Sequence, residues 1–222
     1  YTSAAGLKTG FVAFDVTRPP FDDARVRRAF AMATDREALA NGAMGGYVGP
    51  ATGGFVPPGM PGHCPGIGLA CDAEAARRLL AEAGYPKGGG FPTVRIVTCP
   101  AAEARIACVM AQWQDVLGVD IRWEALPWAE YLKRLSEDPP TIVDYTWAAD
   151  YPDPDSFFRV CRSRTFGGWE HHGYDQLVAQ ARSVTDQEVR LELYRQADHV
   201  LVEEVPILPL TNGRQHLLIK PW

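Results

Sequence analysis

Apolar residues recur along the chain with two spacings, and the alternation between them predicts its layout. Gly10 to Val16 reads as a strand, closed by Pro19 and Pro20. Asp22 is placed to cap a helix in which Val26, Ala29, Phe30 and Ala33 fall at helical spacing. Thr34, with Glu37 three residues on, has the form of a capping box and predicts a second, short helix. Residues 42–70 carry Gly and Pro with little periodicity, which predicts a long ordered loop. Asp72 then opens a helix with Ala76, Leu79, Leu80 and Ala83 on one face, stopped by Gly84 and Pro86. Thr93 to Val97 reads as a strand. Ile106, Val109, Met110, Trp113 and Leu117 mark a helix ended by Gly118, and Val119, Ile121 and Trp123 alternate with Asp120, Arg122 and Glu124 as in a half-buried strand.

The same alternation continues. Pro127 starts a helix carrying Trp128, Tyr131, Leu132 and Leu135, and Ile142 to Trp147 form a further strand. Beyond a loop at 150–155, helices are predicted near Asp175 to Arg182 and from Asp186 to Glu204, the latter capped by Thr185 and Glu188. Pro206 to Leu210 and Gln215 to Ile219 read as two closing strands. Strands alternating with helices in this way predict an α/β layer architecture with a parallel or mixed sheet. No internal repeat, low-complexity tract or interior linker interrupts the chain, so residues 1–222 are expected to form a single α/β unit.

Charge and composition narrow the function. The net charge of −5 arises from 27 acidic and 22 basic residues with no long run of one sign, which argues against a nucleic-acid partner. Arg25, Arg27 and Arg28 are read as the solvated face of the first helix. No stretch approaches the roughly 18 apolar residues of a membrane span, and Tyr1 to Gly10 lack the basic and apolar regions of a signal segment. The five cysteines lack paired C-x-x-C spacing, so no zinc site is expected. Cys64 and Cys71 flank a Gly- and Pro-containing loop and could close a local disulfide in an oxidising compartment, whereas Cys99 and Cys108 read as buried small hydrophobes.

Candidate chemistry is sparse. The chain has no G-x-S-x-G elbow, H-E-x-x-H helix, Walker loop or G-x-G-x-x-G turn, and its glycine runs lie in loops that lack phosphate-cradling residues. His171 and His172 are adjacent and cannot share one face as a chelating pair. Asp150, Asp153 and Asp155 crowd a proline-punctuated loop, yet the alternating ligands, central Gly and distal Glu of a calcium loop are missing. Neither a metal nor a cofactor is expected. Asp150 falls just past the carboxyl end of a predicted strand, where α/β folds place ligand crevices. A carboxylate there can pair with a ligand ammonium, and Trp147 can offer it an apolar or cation-binding face. The competing reading makes Asp150 a turn residue and Trp147 part of the core.

Four ordered blocks resemble one family. PPFDDARVRRAFAMATDREAL at 19–39, CDAEAARRLLAEAGYP at 71–86, WAADYPDPDSFF at 147–158 and YDQLVAQA at 174–181 are similar to stretches of the family 5 extracellular solute-binding proteins. These are the oligopeptide-, dipeptide- and nickel-binding components of ABC transporters. The resemblance implies a mixed-sheet lobe of a periplasmic-binding-protein-like, type II hinge-closing fold, the second (C-terminal) lobe of a bilobed protein whose first lobe is absent from this chain. It implies no enzyme activity, a peptide or similar small solute as ligand, an ABC transporter membrane permease as partner, and an extracytoplasmic place of work, periplasmic or anchored at the cell surface. It further implies that Asp150 binds the α-ammonium of a peptide ligand, with Trp147 and Trp169 lining the cleft. Two other readings predict different behaviour: a ligand-sensing domain of a transcriptional regulator, and a hydrolase that uses the carboxylates at 150–155.

Overall fold

Alternating side chains on the central strands bury both faces of one sheet. The computed structural model describes residues 2–162 and 166–218. Its strands are β1 (Thr2–Phe14), β2 (Val48–Pro50), β3 (Val94–Thr98), β4 (Ile121–Ala125), β5 (Ile142–Ala148) and β6 (Ile207–Leu217). They lie in the order β2, β6, β1, β5, β3, β4. β3 pairs in parallel with β4 and β5, while β1 pairs antiparallel with β5 and β6, so the sheet is mixed. Val12, Phe14, Ile96, Ile142 and Leu208 point into one core and Phe11, Ala13, Val97, Val143 and Ile207 into the other. This is the period of two expected of a strand covered on both sides.

The first core is roofed by α1 (Ala24–Met32), α3 (Ala73–Glu82) and α4 (Glu103–Leu117). The second lies under α5 (Trp128–Glu137), the single-turn α6 (Asp155–Phe158), α7 (His172–Ser183) and α8 (Gln187–Glu204). A short α2 (Arg36–Ala38) runs on into a wider turn at Leu39–Ala43. Gly118 ends α4 in the left-handed region at φ 70°, as the sequence predicts.

Three predicted caps move by one residue. Asp23 rather than Asp22 caps α1, Asp35 rather than Thr34 caps α2, and Asp186 rather than Thr185 caps α8. In the last two cases a carboxylate next to the hydroxyl takes the amide protons. Thr34 instead donates to the Phe30 carbonyl at 2.8 Å and accepts from the Trp113 indole at 2.9 Å inside the core.

Further corrections concern burial. Arg27 is not solvated: it is 3% exposed, and its guanidinium donates to the carbonyls of Phe21 (2.7 Å) and Glu204 (2.8 Å). It thereby satisfies a carbonyl left open at the end of α8. Cys99 and Cys108 are only half-buried, whereas Cys64 and Cys161 are buried. Cys64 and Cys71 are both free, so the local disulfide is not formed. The two closing strands are one continuous β6. Ile219 lies outside the described residues. The loop over 42–70 is long and mostly irregular as predicted, but it contributes β2 to the sheet edge. Buried Arg36 fastens it with bonds to the carbonyls of Pro209 (2.8 Å) and Leu69 (2.9 Å).

Candidate ligand-binding site at the carboxyl end of the sheet

The parallel strand β3 ends level with Asp144 of β5, which runs on to Ala148, and a buried ion pair lies at this point. Arg105 on α4 reaches Asp144 on β5 through two nitrogens, at 2.6 and 3.1 Å, and Thr146 at 3.1 Å. Thr98 at the end of β3 donates to the other Asp144 oxygen at 2.6 Å, and the Tyr131 hydroxyl donates to the Asp144 carbonyl. Burial pushes the Asp144 carboxyl up, opposed by Arg105 and Thr98. Gly10 on β1 leaves room for this network, since a Cβ there would come within 2.4 Å of the Arg105 guanidinium. Both Asp144 carboxylate oxygens are engaged, so the network ties β3 and β5 to α4 and, through Tyr131, to α5. Sequence reasoning missed it. The available signal was an aspartate between Val143 and Tyr145 in an otherwise apolar strand.

Past the end of β5 the chain turns at Asp150, and Ala149 donates its amide to the Leu7 carbonyl at 2.8 Å. Buried Ser156, at the first turn of α6, accepts both the Trp147 indole N–H (3.2 Å) and the Asp150 amide (3.1 Å). One hydroxyl thus sets the position of both residues. Trp147 is half-buried against the second core. Tyr145, two residues earlier on the same face, meets the ring of Trp128, which is 55% exposed, at 6.4 Å. An aromatic shelf therefore runs along this edge.

The three carboxylates of the loop differ in kind. Asp153 receives two bonds from Arg190, both 2.8 Å, and Asp155 receives Arg182 (2.6 Å) and the hydroxyls of Tyr151 (3.0 Å) and Tyr194 (3.1 Å). Burial works to raise both carboxyls, but the arginines and the other donors outweigh it and hold them below the usual carboxylate range. They tie the loop and α6 to α7 and α8, Asp153 through Arg190 and Asp155 through Arg182 and two tyrosines, so both carboxylates are engaged in structural bonds. Asp150 is different: its side chain is 50% exposed, and among the described residues only Oδ2 is engaged, by Arg159. The Arg159 guanidinium lies 5.9 Å from the Trp147 ring and 5.6 Å from that of Tyr151.

The structure brings Asp150 and Trp147 together but leaves Trp169 out. Trp169 is 6% exposed, stacked on His171 at 5.4 Å and edge-on to Tyr174 at 4.9 Å. It borders an open depression of about 900 Å³ together with Asp15, Arg18 and Asp138. That depression adjoins the end of β1 and the start of β5, whereas Asp150 follows the end of β5, which at roughly 3.3 Å per residue is about 20 Å away.

A mixed six-stranded sheet covered by helices on both faces, with a half-open carboxylate and an aromatic shelf past the end of β5, is an α/β unit of the periplasmic-binding-protein type. The chain belongs to the bacterial extracellular solute-binding proteins, family 5, whose middle region it matches over residues 1–169. Among its relatives is the di/tripeptide-binding protein 3 of Pseudomonas aeruginosa, 32% identical over 223 residues, covering 95% of this chain and 41% of that protein. The periplasmic murein tripeptide-binding protein MppA, in an unliganded open form, superposes with a TM-score of 0.86 at 27% identity, covering 100% of this chain and 45% of that one. The dipeptide-binding protein of Pseudoalteromonas sp. SM9913, in complex with Met-Leu, gives 0.83 at 29% identity over 96% of this chain and 44% of that one. The chain thus spans less than half the length of these relatives, all of which are named as binding proteins.

Proposed function

We propose that this chain is one lobe of a hinge-closing, extracytoplasmic solute-binding protein that delivers peptides or similar small solutes to the membrane permease of an ABC importer. Asp150 takes the cationic end of the ligand, and Trp147 flanks it. The observation that carries this reading is the contrast within one loop: Asp153 and Asp155 are each enclosed by several donors, while Asp150 keeps an oxygen open at the carboxyl end of β5. The match to relatives named for di- and tripeptides supports the ligand class. The coverage of 41–45% supports a second wall supplied by further chain. Trp169 enters this reading as a core residue of the lobe rather than a ligand contact. Closure of the two walls would desolvate the Asp150 contact and strengthen it, and no bond is made or broken.

A native mass spectrum of the full-length protein purified from its own host tests this. The expected result is a peptide-sized adduct that is lost in Asp150→Ala while the melting temperature holds. An adduct retained in that variant would overturn the role of Asp150, and a metal or sugar in its place would overturn the ligand class.

A further inference from the structure

The carboxylate proposed to receive the ligand already has a cation beside it. Arg159 caps the end of α6, where its amide donates to the Asp155 carbonyl at 3.1 Å, and the single helical turn returns its side chain to Asp150. The guanidinium spends one nitrogen on Asp150 Oδ2 and rests beside Trp147 and Tyr151. A guanidinium has five N–H donors, and among the described residues Arg159 has no other acceptor, so its remaining donors face outward on a side chain that is 42% exposed. Asp150 Oδ1 is open in the same way. Among the described residues, the neighbouring charges Arg190 and Asp153, and Arg182 and Asp155, are paired with each other. An arriving ligand therefore meets a neutral Asp150–Arg159 pair rather than a bare carboxylate.

Resting on the ammonium-capture reading above, we infer that Arg159 determines specificity, selecting peptides whose amino-terminal residue carries an acidic side chain. A lone ammonium on Asp150 stands beside a like charge, which works against it. An ammonium with a carboxylate on the same residue places the first on Asp150 Oδ1 and the second on the open fork of Arg159, a geometry guanidinium favours. Both protein charges then gain a partner without parting from each other.

Calorimetric titration of the full-length protein with three probes, Asp-Ala, Ala-Ala and Lys-Ala, tests the inference. Wild type is expected to prefer Asp-Ala over Lys-Ala by about tenfold or more, the scale of one charge-assisted hydrogen bond. In Arg159→Gln the preference should vanish through weaker Asp-Ala and stronger Lys-Ala binding, and in Arg159→Lys, which keeps the charge but not the fork, it should be intermediate. Asp150→Asn should weaken all three probes. A preference unchanged in Arg159→Gln, with Asp150→Asn still weakening every probe, would overturn this inference and leave amine capture standing. Unchanged binding in Asp150→Asn would overturn amine capture itself.

Discussion

Asp198 on α8 is wholly buried, and its Oδ1 accepts the Phe55 amide at 2.8 Å, while Oδ2 has no hydrogen-bond partner among the described residues. The loop lies so close that a Cβ on Gly54 would fall 1.9 Å from that oxygen. Burial pushes the carboxyl up to about 7, against the pull of the Phe55 and Val56 amides. The folded state thus holds a proton that the unfolded chain releases near its ordinary value of 3.8. Its stabilising contribution is complete below that value and is lost as pH rises from about 4 through about 7, by on the order of 4 kcal/mol. Asp198→Asn keeps the acceptor for Phe55 and removes the ionisation. Melting curves should show the variant more stable than wild type at pH 8, with the gap closing by pH 4. Parallel pH profiles for the two proteins would contradict this assignment.

At the scale of elements, periodicity located most strands and the long helices because each buries a face whose apolar residues recur at its own spacing. Caps moved by a residue because adjacent side chains such as Thr34 and Asp35, or Thr185 and Asp186, both offer an acceptor, and only the path of the chain chooses between them. Arg27 was misread for a related reason: an arginine between Val26 and Arg28 looks solvated until α8 is seen to end against α1, where its last carbonyls need donors. Arg27→Met should therefore cost about 2–4 kcal/mol, since it strips buried carbonyls of their partner. Arg25→Ala, at an exposed pair with Asp23, should cost far less, because solvent screens that pair. Chemical denaturation distinguishes them, and equal losses would refute the burial argument. The candidate site was legible in part. Asp150 and Trp147 follow from the strand end and the family block, but Arg159 was not, because the single-turn α6 that returns it to Asp150 has too few residues to show a period. The Arg105–Asp144 pair joins residues 39 apart, and only the tertiary fold reveals it.

Taken as a whole molecule, the chain is a sheet covered on both faces, with its carboxyl strand ends left open as a wall. The ion pair Arg105–Asp144 braces β5 against α4, and the Arg190–Asp153 and Arg182–Asp155 pairs brace the Asp150 loop against α8 and α7. Such preorganisation lowers the ordering cost of binding. The fold alone does not choose a ligand, because relatives share it across solutes. In the proposed reading, the carboxylate of Asp150 gives this wall its chemistry. The most direct test is to titrate the full-length protein with a dipeptide and with its N-acetylated form, which differ only in the ammonium. The account predicts that acetylation weakens binding about tenfold or more in wild type and has little further effect in Asp150→Asn. Equal affinity of wild type for the two forms would contradict the claim that this lobe holds its ligand by the amine.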